Sequence, residues 1–333
     1  MERLYPLLMQ PRFDPRPWGT LDLAPIYPNH RFTEKIGESW LSGDESRVAN
    51  GPLAGRSLAE LAREYSRDLV GEAAAEGTRF PLLLKFLFPH DKLSVQVHPD
   101  DDRAKLDGFP SGKTECWWVA HAQPGAEIAL GMKPGVTRSQ LEQAIHDQRA
   151  EDLLNWVRVF AGDMIYVAGG TVHTLGPGSV IVETQQQSDT TYRLYDYGRP
   201  RELHLAKGLA AVKEQPHSGK VAPLAAVALN GSGSSRTRLI ASPFFQVDKY
   251  ELQSEQELQT VNDAGVTSAH ILVAVEGCAQ VESAAAGAVT MAKGDAVVIP
   301  AAVRDYRVRP QWSTRFLMAS VPSASTTEPQ VTL

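Results

Sequence analysis

The stretch "GDMIYVAGGTVHTL", residues 162–175, decides our interpretation of the fold, because a similar stretch recurs later in the chain. Its counterpart is "GDAVVIPAAVRDYRV", residues 294–308. Each begins with a Gly-Asp turn, continues as an apolar strand and then turns through small residues. Each also lies late in a segment rich in predicted strands. The repetition predicts two β-sandwich domains in tandem.

Short predicted strands surround both stretches and are separated by Gly, Pro, Asp and Asn. Many short strands with turn signals are typical of a jelly-roll sandwich or barrel. We therefore expect a mainly β protein with a few helices. The predicted strands are "AEIALGM", "DMIYVAGG", "SVIVETQQ", "FQVDKYEL", "HILVAVEG", "DAVVIPAA" and "TRFLMAS".

The small and turn-forming residues of "EQPHSGKVAPLAAVALNGSGSSRTR" predict the connection between the two domains. We expect a first domain over residues 1–220 and a second over residues 236–320. The tail, residues 321–333, is expected to be flexible.

Two helices are expected in the first domain. "SLAELAREYSRDLVG" opens with a Ser57–Glu60 capping box and has apolar residues at spacings of three and four. "TRSQLEQAIHDQRAEDLLNWV", residues 137–157, opens in the same way with Thr137 and Gln140. We expect this second helix to be an insertion within the first domain.

Composition narrows the function. The 333 residues are 43% hydrophobic and 22% charged, which is typical of a globular protein. The net charge of −6 argues against nucleic acid or an anionic membrane as partner. No stretch has the length of a membrane span, and the N-terminus does not resemble a signal peptide. Two cysteines far apart in sequence fit a reducing cytoplasm.

The stretch "KLSVQVHP", residues 92–99, carries the first candidate metal ligands. Its alternation predicts a strand with Ser94, Gln96 and His98 on one face. Gln and His two residues apart could contact one ligand or simply face water.

Glu115, in "GKTECWWV", and His173, after the Gly-Gly turn of residues 169–170, could complete a metal site. Two His and one carboxylate form a familiar ligand set for a divalent metal. A chain with nine His offers such triples by chance, so the residue types alone decide little.

The order of these residues resembles the two-part ligand pattern of cupins. In that family a strand with H-x-H or a variant and a later Glu are followed by a distant His after G-x5-P-x-G-x2-H. Here Gly162, Gly170 and His173 fit the second part, while Ala168 stands where Pro is usual. The resemblance implies that both domains are cupin-like jelly rolls.

Q-x-H within "LSVQVHPDD" narrows the resemblance to type I phosphomannose isomerases. These are zinc enzymes that interconvert mannose 6-phosphate and fructose 6-phosphate. The similarity extends to about residue 215 and is carried by motifs in the family's order. Besides "LSVQVHPDD", they are "RPWG" (16–19), "IGESWLSG" (36–43), "LLLKFLFP" (82–89), "GKTECWWV" (112–119), "AGGTVHTLGPG" (168–178) and "ETQQQSDTTYRLYDYGR" (183–199).

The resemblance implies one zinc ion per chain, held by His98, Glu115, His173 and Gln96, and a small sugar phosphate as substrate. Whether Gln96 ligates the metal stays open. Cations should surround a dianionic substrate. The family pattern places Lys85, Lys113 and Arg193 in the pocket, with Arg193 and Lys113 as catalytic candidates.

When the two similar stretches are aligned at their Gly-Asp turns, the second domain has Asp305 in the position of the ligand His. Its preceding strand also lacks an H-x-H pair. We therefore expect that domain to bind no metal.

Several functions remain open at this stage. The chain could act on another sugar phosphate, bind a sugar phosphate without catalysis, or be another cupin enzyme such as a non-haem iron oxygenase. The identity of the proton-transfer base and the choice between monomer and homodimer are also open.

Overall fold

The computed structural model describes residues 2–74, 77–229, 233–262, 264–284, 286–322 and 325–332. Up to residue 221 its strands are β1 (Leu7–Leu8), β2 (Arg12–Thr20), β3 (Ile36–Trp40), β4 (Leu82–Leu87), β5 (Val95–Val97), β6 (Glu115–Ala122), β7 (Glu127–Met132), β8 (Leu154–Arg158), β9 (Met164–Val167), β10 (His173–Leu175), β11 (Ser179–Gln186), β12 (Tyr192–Tyr195) and β13 (Gly219–Val221).

The later strands are β14 (Val227–Leu229), β15 (Ser234–Ala241), β16 (Gln246–Leu252), β17 (Gln256–Gln259), β18 (His270–Glu276), β19 (Cys278–Ser283), β20 (Ala286–Ala292), β21 (Ala296–Ile299), β22 (Asp305–Pro310) and β23 (Thr314–Ser320). The helices are α1 (Leu58–Tyr65), α2 (Arg67–Val70), α3 (Asp101–Leu106), α4 (Arg138–His146) and α5 (Leu205–Ala211).

The two halves of the chain repeat one sheet topology. The large sheets have the orders β13-β9-β6-β11-β4-β3-β2 and β1-β21-β18-β23-β16-β15-β14, and the smaller sheets are β12-β5-β10-β7-β8 and β17-β22-β19-β20. The register repeats as well. Glu115 pairs with Val167, and His270 pairs with Ile299, the residue that aligns with Val167 in the sequence repeat. The prediction of a mainly β fold with two similar halves is confirmed.

Alternation along β6 explains how the layers pack. Cys116 and Trp118 point to one side and join a core cluster that also contains Ile271 and Val298 of the second half. Trp117 points to the other side, into the interior of the first half. The outer faces of the two large sheets therefore pack together, while each inner face encloses its own interior. The candidate site lies on the inner face of the first.

The ends of the chain cross between the halves. β1 pairs with β21, at the edge of the second large sheet. Thr332 forms an isolated bridge with Lys220 of β13, in the first. The C-terminal segment, residues 321–333, was expected to be flexible, and in its described part Thr332 makes the bridge to Lys220. Residues 323, 324 and 333 lie outside the described residues.

The first predicted helix is present, with the Ser57–Glu60 capping box, and divides at Ser66 into α1 and α2. The second prediction, a helix over residues 137–157, is only partly correct. Helix α4 ends at His146, a 3₁₀ turn follows at Ala150–Leu153, and the remaining residues form strand β8 paired with β7. Gln148 has a φ of 58°, which breaks the helix between these elements.

Among the described residues, no helix has the length and apolar character needed to span a membrane.

Candidate active site

Three elements of the first half of the chain bring His98, Glu115 and His173 together. His98 directly follows β5, Glu115 begins β6 and His173 begins β10. The register of β10 on β5 sets His173 opposite Gln96. All three candidate ligands are buried, and one donor atom from each lies within 4.8 Å of the others. The structure thus assembles the predicted triad.

Hydrogen bonds to the backbone orient both imidazole rings. Nδ1 of His98 lies 2.9 Å from the carbonyl oxygen of Thr190, and Nδ1 of His173 lies 2.9 Å from that of Thr171. Because a carbonyl oxygen only accepts, each Nδ1 must carry the hydrogen. Each Nε2 therefore presents a lone pair, the form that binds a metal.

The Glu115 carboxylate lies between the two rings. Its Oε2 is 3.6 Å from His98 Nε2, and its Oε1 is 3.5 Å from His173 Nε2. Oε1 is buried and has no hydrogen-bond partner among the described residues. A buried carboxylate oxygen without a partner is costly unless a cation or donor satisfies it.

The histidines stay neutral in this environment. Burial lowers the pKa of His98 well below its usual value, helped by the charge of Lys113. Burial likewise lowers the pKa of His173 to about 4. Neutral imidazoles and an ionised carboxylate are the ligand forms that zinc uses.

Lys113 lies directly against this triad. Its Nζ donates to His98 Nε2 at 3.1 Å and to Glu115 Oε2. A positive group thus stands against two of the three candidate ligands, as a metal ion would. The residues present therefore fit a divalent metal.

Gln96 reaches the same point. Its Nε2 donates to His173 Nε2 at 3.2 Å, and its Oε1 accepts a hydrogen bond from Ser94 at 3.3 Å. Exchanging the amide oxygen and nitrogen by a half-turn of the group would place the oxygen toward His173 instead, so either atom can face the metal position. The role of Gln96 as a ligand stays a prediction.

A cavity of about 480 Å³ opens beside the triad. Among the side chains that line it, five are cationic and three are carboxylates. Trp18 and Leu93 add apolar wall. The charged lining residues are Arg16, Lys85, Lys113, Arg193, Arg201, Glu38, Glu183 and Asp189.

Lys85 is buried in the cavity wall between two carboxylates. Its Nζ lies 3.0 Å from Asp189 Oδ1 and 3.5 Å from Glu38 Oε2, above the ring of Trp40. Burial alone would lower the pKa of Lys85, but Glu38 and Asp189 raise it overall. Burial would raise the pKa of Glu38, yet Lys85 and Arg16 lower it to about 2. Lys85 therefore stays charged.

Arg193 lies on β12 and also lines the cavity. Its Nη1 donates to the carbonyl oxygen of Glu202 at 2.8 Å. Its Nε is buried and has no hydrogen-bond partner among the described residues. The guanidinium keeps donor capacity for a ligand.

Glu183 also belongs to the cavity, although its place in "ETQQQSDTTYRLYDYGR" did not predict a role for it. It occupies β11 opposite Lys85 and accepts a hydrogen bond from Trp117 Nε1 at 3.1 Å. Burial raises its pKa to about 7, against the opposing charge of Lys113. A carboxylate within the otherwise apolar predicted strand "SVIVETQQ" is the feature of the sequence that could have indicated a functional role for this residue.

Asp189, Arg16 and Arg201 were missed too. Arg16 and Arg201 are far apart in sequence, and no local pattern relates them. Glu38 had no assigned role, and the structure places it in the cavity wall.

Comparison with known proteins identifies the family of this chain. Residues 23–109 match the family model described as phosphomannose isomerase type I, catalytic domain. A mannose-6-phosphate isomerase of Streptococcus mutans is 34% identical over 312 residues, covering 91% of this chain and 94% of that protein.

Solved structures show the same fold. The mannose 6-phosphate isomerase of Bacillus subtilis superposes with a TM-score of 0.83 and 31% identity, covering 95% of this chain and 99% of that one. A mannose 6-phosphate isomerase solved with zinc bound shares the fold at 17% identity, with a TM-score of 0.73, over 94% of this chain and 98% of that one. The sequence identity, its coverage and the family model together show that this chain belongs to the type I phosphomannose isomerase family.

Proposed function

We propose that the protein is a zinc-dependent aldose–ketose isomerase that interconverts mannose 6-phosphate and fructose 6-phosphate. One observation carries this: His98, Glu115 and His173 converge beside a cavity that His98 and five cationic side chains line. Membership of the phosphomannose isomerase family favours this activity over an iron oxygenase.

His98, Glu115 and His173 would hold the metal, with Gln96 as a fourth contact. When bound there, a divalent metal acts as a Lewis acid toward the carbonyl and hydroxyl oxygens of an open-chain sugar. The reaction also needs a group that moves one proton between C2 and C1.

Glu183 is the best placed residue for that proton. It is buried, lines the cavity and has a pKa near neutrality. Its Oε1 accepts the indole hydrogen of Trp117, which leaves Oε2 to take the C2 proton and return it to C1. The electron pair of the broken C2–H bond enters the enediolate, the proton of the C2 hydroxyl passes to the oxygen on C1, and protonation of C1 then leaves the carbonyl at C2.

Lys113 lies 3.9 Å from Glu183 and touches two candidate ligands. It is placed to donate a hydrogen bond to the sugar oxygen on which negative charge develops. Arg193, with an unused donor, binds the anionic substrate. We therefore propose Lys113 and Arg193 as catalytic residues.

The test is turnover by the metal-loaded and metal-free protein. A chelator should abolish isomerisation of mannose 6-phosphate, and zinc should restore it. Full activity of the metal-free protein would rule out the mechanism. A panel of other aldose and ketose phosphates separates this activity from that of a paralogue, and turnover of none would indicate a non-catalytic binding protein.

We also propose a reducing, cytoplasmic location. Cys116 and Cys278 are both free and buried, which fits a compartment where thiols stay reduced.

A further inference from the structure

Lys113 lies outside the regular strands, in the loop between α3 and β6. Its side chain is buried, and its Nζ contacts His98 and Glu115. A lysine side chain is a flexible stem with a point charge at its end. The position of Nζ therefore depends on how firmly the loop holds the backbone of this residue.

Two side chains hold the backbone on either side of Lys113. The amide of Gly112 donates to Asp101 Oδ1 at 2.7 Å, and the amide of Thr114 donates to Gln186 Oε1 at 2.8 Å. Gln186 Nε2 in turn donates to Asp101 Oδ1 at 2.9 Å. A backbone N–H only donates and a carboxylate only accepts, so this orientation of the Gln186 amide satisfies both partners. One side chain thus joins the two anchors that flank Lys113.

Gln186 also replaces a ladder hydrogen bond at the end of β11. Its own amide donates to the carbonyl oxygen of Thr114 at 3.1 Å, as in an antiparallel ladder. The return bond in such a pair would run from the Thr114 amide to the Gln186 carbonyl oxygen. Here that carbonyl oxygen accepts the amide of Ser188 at 2.7 Å, and the Gln186 side chain accepts from Thr114 instead. The pairing of the two strands thus reaches the loop of Lys113 through this side chain.

The next glutamine in the chain contacts a different region. Gln187 Oε1 accepts the amide of Asp44 at 3.3 Å. Among the described residues, the Gln187 side chain has no hydrogen bond to residues 112–114. Gln186 and Gln187 both line a second cavity, of about 390 Å³, outside the candidate active site. Gln187 is therefore a matched control for Gln186.

We propose that Gln186 is a positioning residue for the isomerase reaction, because it fixes the backbone on both sides of Lys113. Its catalytic consequence rests on the proposed function, in which Lys113 donates to the sugar oxygen where negative charge develops. Without the Gln186 amide, Nζ would shift while every candidate metal ligand stays in the chain. A displacement of about 1 Å at a catalytic group can lower a rate about 100-fold.

Gln186→Met tests the proposal, since it keeps the length of the side chain but neither accepts nor donates in the same way. We expect kcat for mannose 6-phosphate to fall about 10- to 100-fold, with little change in KM or zinc content. Gln187→Met makes the same change one residue along the chain and should alter kcat by less than about twofold. An unchanged kcat in Gln186→Met, or an equal loss in Gln187→Met, would overturn the proposal.

A double-mutant cycle with Lys113→Met separates positioning from general damage. If Gln186 acts through Lys113, then Gln186→Met should lower kcat by less than about twofold in a chain that already carries Lys113→Met. A purely structural role would lower kcat by the same factor in both backgrounds, and that result would contradict the proposal.

Exchanging the two partners tests the bond between Gln186 and Asp101. Gln186→Glu alone sets two carboxylates against each other and should lower kcat about 10-fold. Adding Asp101→Asn again sets a donor against an acceptor and should restore most of kcat. Adding Asp102→Asn, at the neighbouring acidic residue of α3, should not. No recovery with Asp101→Asn, or equal recovery with Asp102→Asn, would exclude the proposed link.

Amide hydrogen exchange tests the contact without using activity. In zinc-loaded Gln186→Met, peptides that contain residues 112–114 should exchange about 10-fold faster than in wild-type protein, whereas Gln187→Met should match wild-type. Equal exchange in all three proteins would show that Gln186 does not hold the loop. If exchange changes as expected but wild-type protein isomerises no sugar phosphate, the isomerase proposal is wrong while the hold on Lys113 stands.

Discussion

The two halves of this protein share one sheet topology but fill their interiors differently. At the register position of Glu115, the second half carries His270, whose Nδ1 lies 2.8 Å from the hydroxyl of Tyr306. In the first half, the inner face ends in candidate ligands and a cavity. In the second, the same position belongs to an aromatic and aliphatic core.

The same contrast holds on neighbouring strands. Across the first large sheet, Leu83 lies in the same row of paired residues as Glu115, and Lys85 lies two residues after Leu83 on β4. In the second large sheet, the residue of β16 at the position equivalent to Lys85 is Asp248. Asp248 is buried and paired with Arg238 through Nε at 2.6 Å. A lysine in the cavity wall of one half is thus replaced, in the other, by a buried carboxylate that is paired with an arginine. Chemistry in this fold depends on a few inward-facing positions, not on the sheets.

The largest difference in effect between the halves should appear when the residue at the register position of Glu115 is mutated in each half. Glu115→Gln keeps the shape of the side chain but removes its charge, so metal content and activity should fall together, activity by roughly 10³-fold. His270→Gln, at the same register position, should leave both unchanged. Metal analysis and turnover of mannose 6-phosphate measure the effect. Full zinc occupancy in Glu115→Gln would contradict the site.

Glu183 and Met318 occupy equivalent positions in the two halves. Each lies two residues before the residue that pairs with Glu115 or His270, which is Gln185 in the first half and Ser320 in the second. Glu183→Gln removes the proposed base and should lower kcat about 10²- to 10³-fold with zinc retained. Met318→Leu should change kcat little. An unchanged kcat in Glu183→Gln would exclude it as the base, and lost zinc would move its role to the metal site.

A core substitution in the second half should have the opposite pattern of effects, on stability and not on activity. Phe316 is fully buried and stacked on Tyr250 with ring centroids 5.0 Å apart. Phe316→Ala should cost about 3–5 kcal/mol in unfolding free energy, measured by denaturant titration, while activity of the folded protein persists. Phe160→Ala, at a residue 63% exposed, is the control and should cost little. Loss of zinc from folded Phe316→Ala would show that the second interior supports the metal site directly.

The smallest effect concerns pH. Burial lowers the pKa of His270 to about 4, whereas an unfolded histidine titrates near 6.5. Between these values the unfolded chain binds more protons, so the unfolding free energy falls as pH drops from about 6.5 to 4, by on the order of 3 kcal/mol. Unfolding titrations at several pH values should show a shallower slope for His270→Gln. Equal slopes would mean that His270 titrates normally when folded.

The sequence predicted the features that depend on local pattern. The repeat that begins at Gly162 and Gly294 indicated two similar halves, and alternation placed Glu115 and Trp117 on one face. The spacing of His98, Glu115 and His173 alone was weak evidence for a metal site, and the family resemblance identified these residues as ligands.

Other features needed the tertiary structure. The alignment of the repeat set Asp305 in the position of the ligand His, but the interior-facing residue is Tyr306, and Asp305 is exposed. A 3₁₀ turn and Arg304, with a φ of 64°, precede β22 and alter the orientation of the strand. A shift of one residue exchanges the faces of a strand, and an alignment of short repeats does not detect it.

The crossing of β1 and Thr332 between the halves has a consequence for the order of synthesis. When the first half of the chain has left the ribosome, β1 still lacks β21, and the apolar outer face around Trp118 still lacks the sheet that covers it. Folding that proceeds domain by domain from the N-terminus must therefore leave this surface open until the last strand, β23, has been made. Slowed translation within the second half would prolong the interval during which the nascent chain can aggregate.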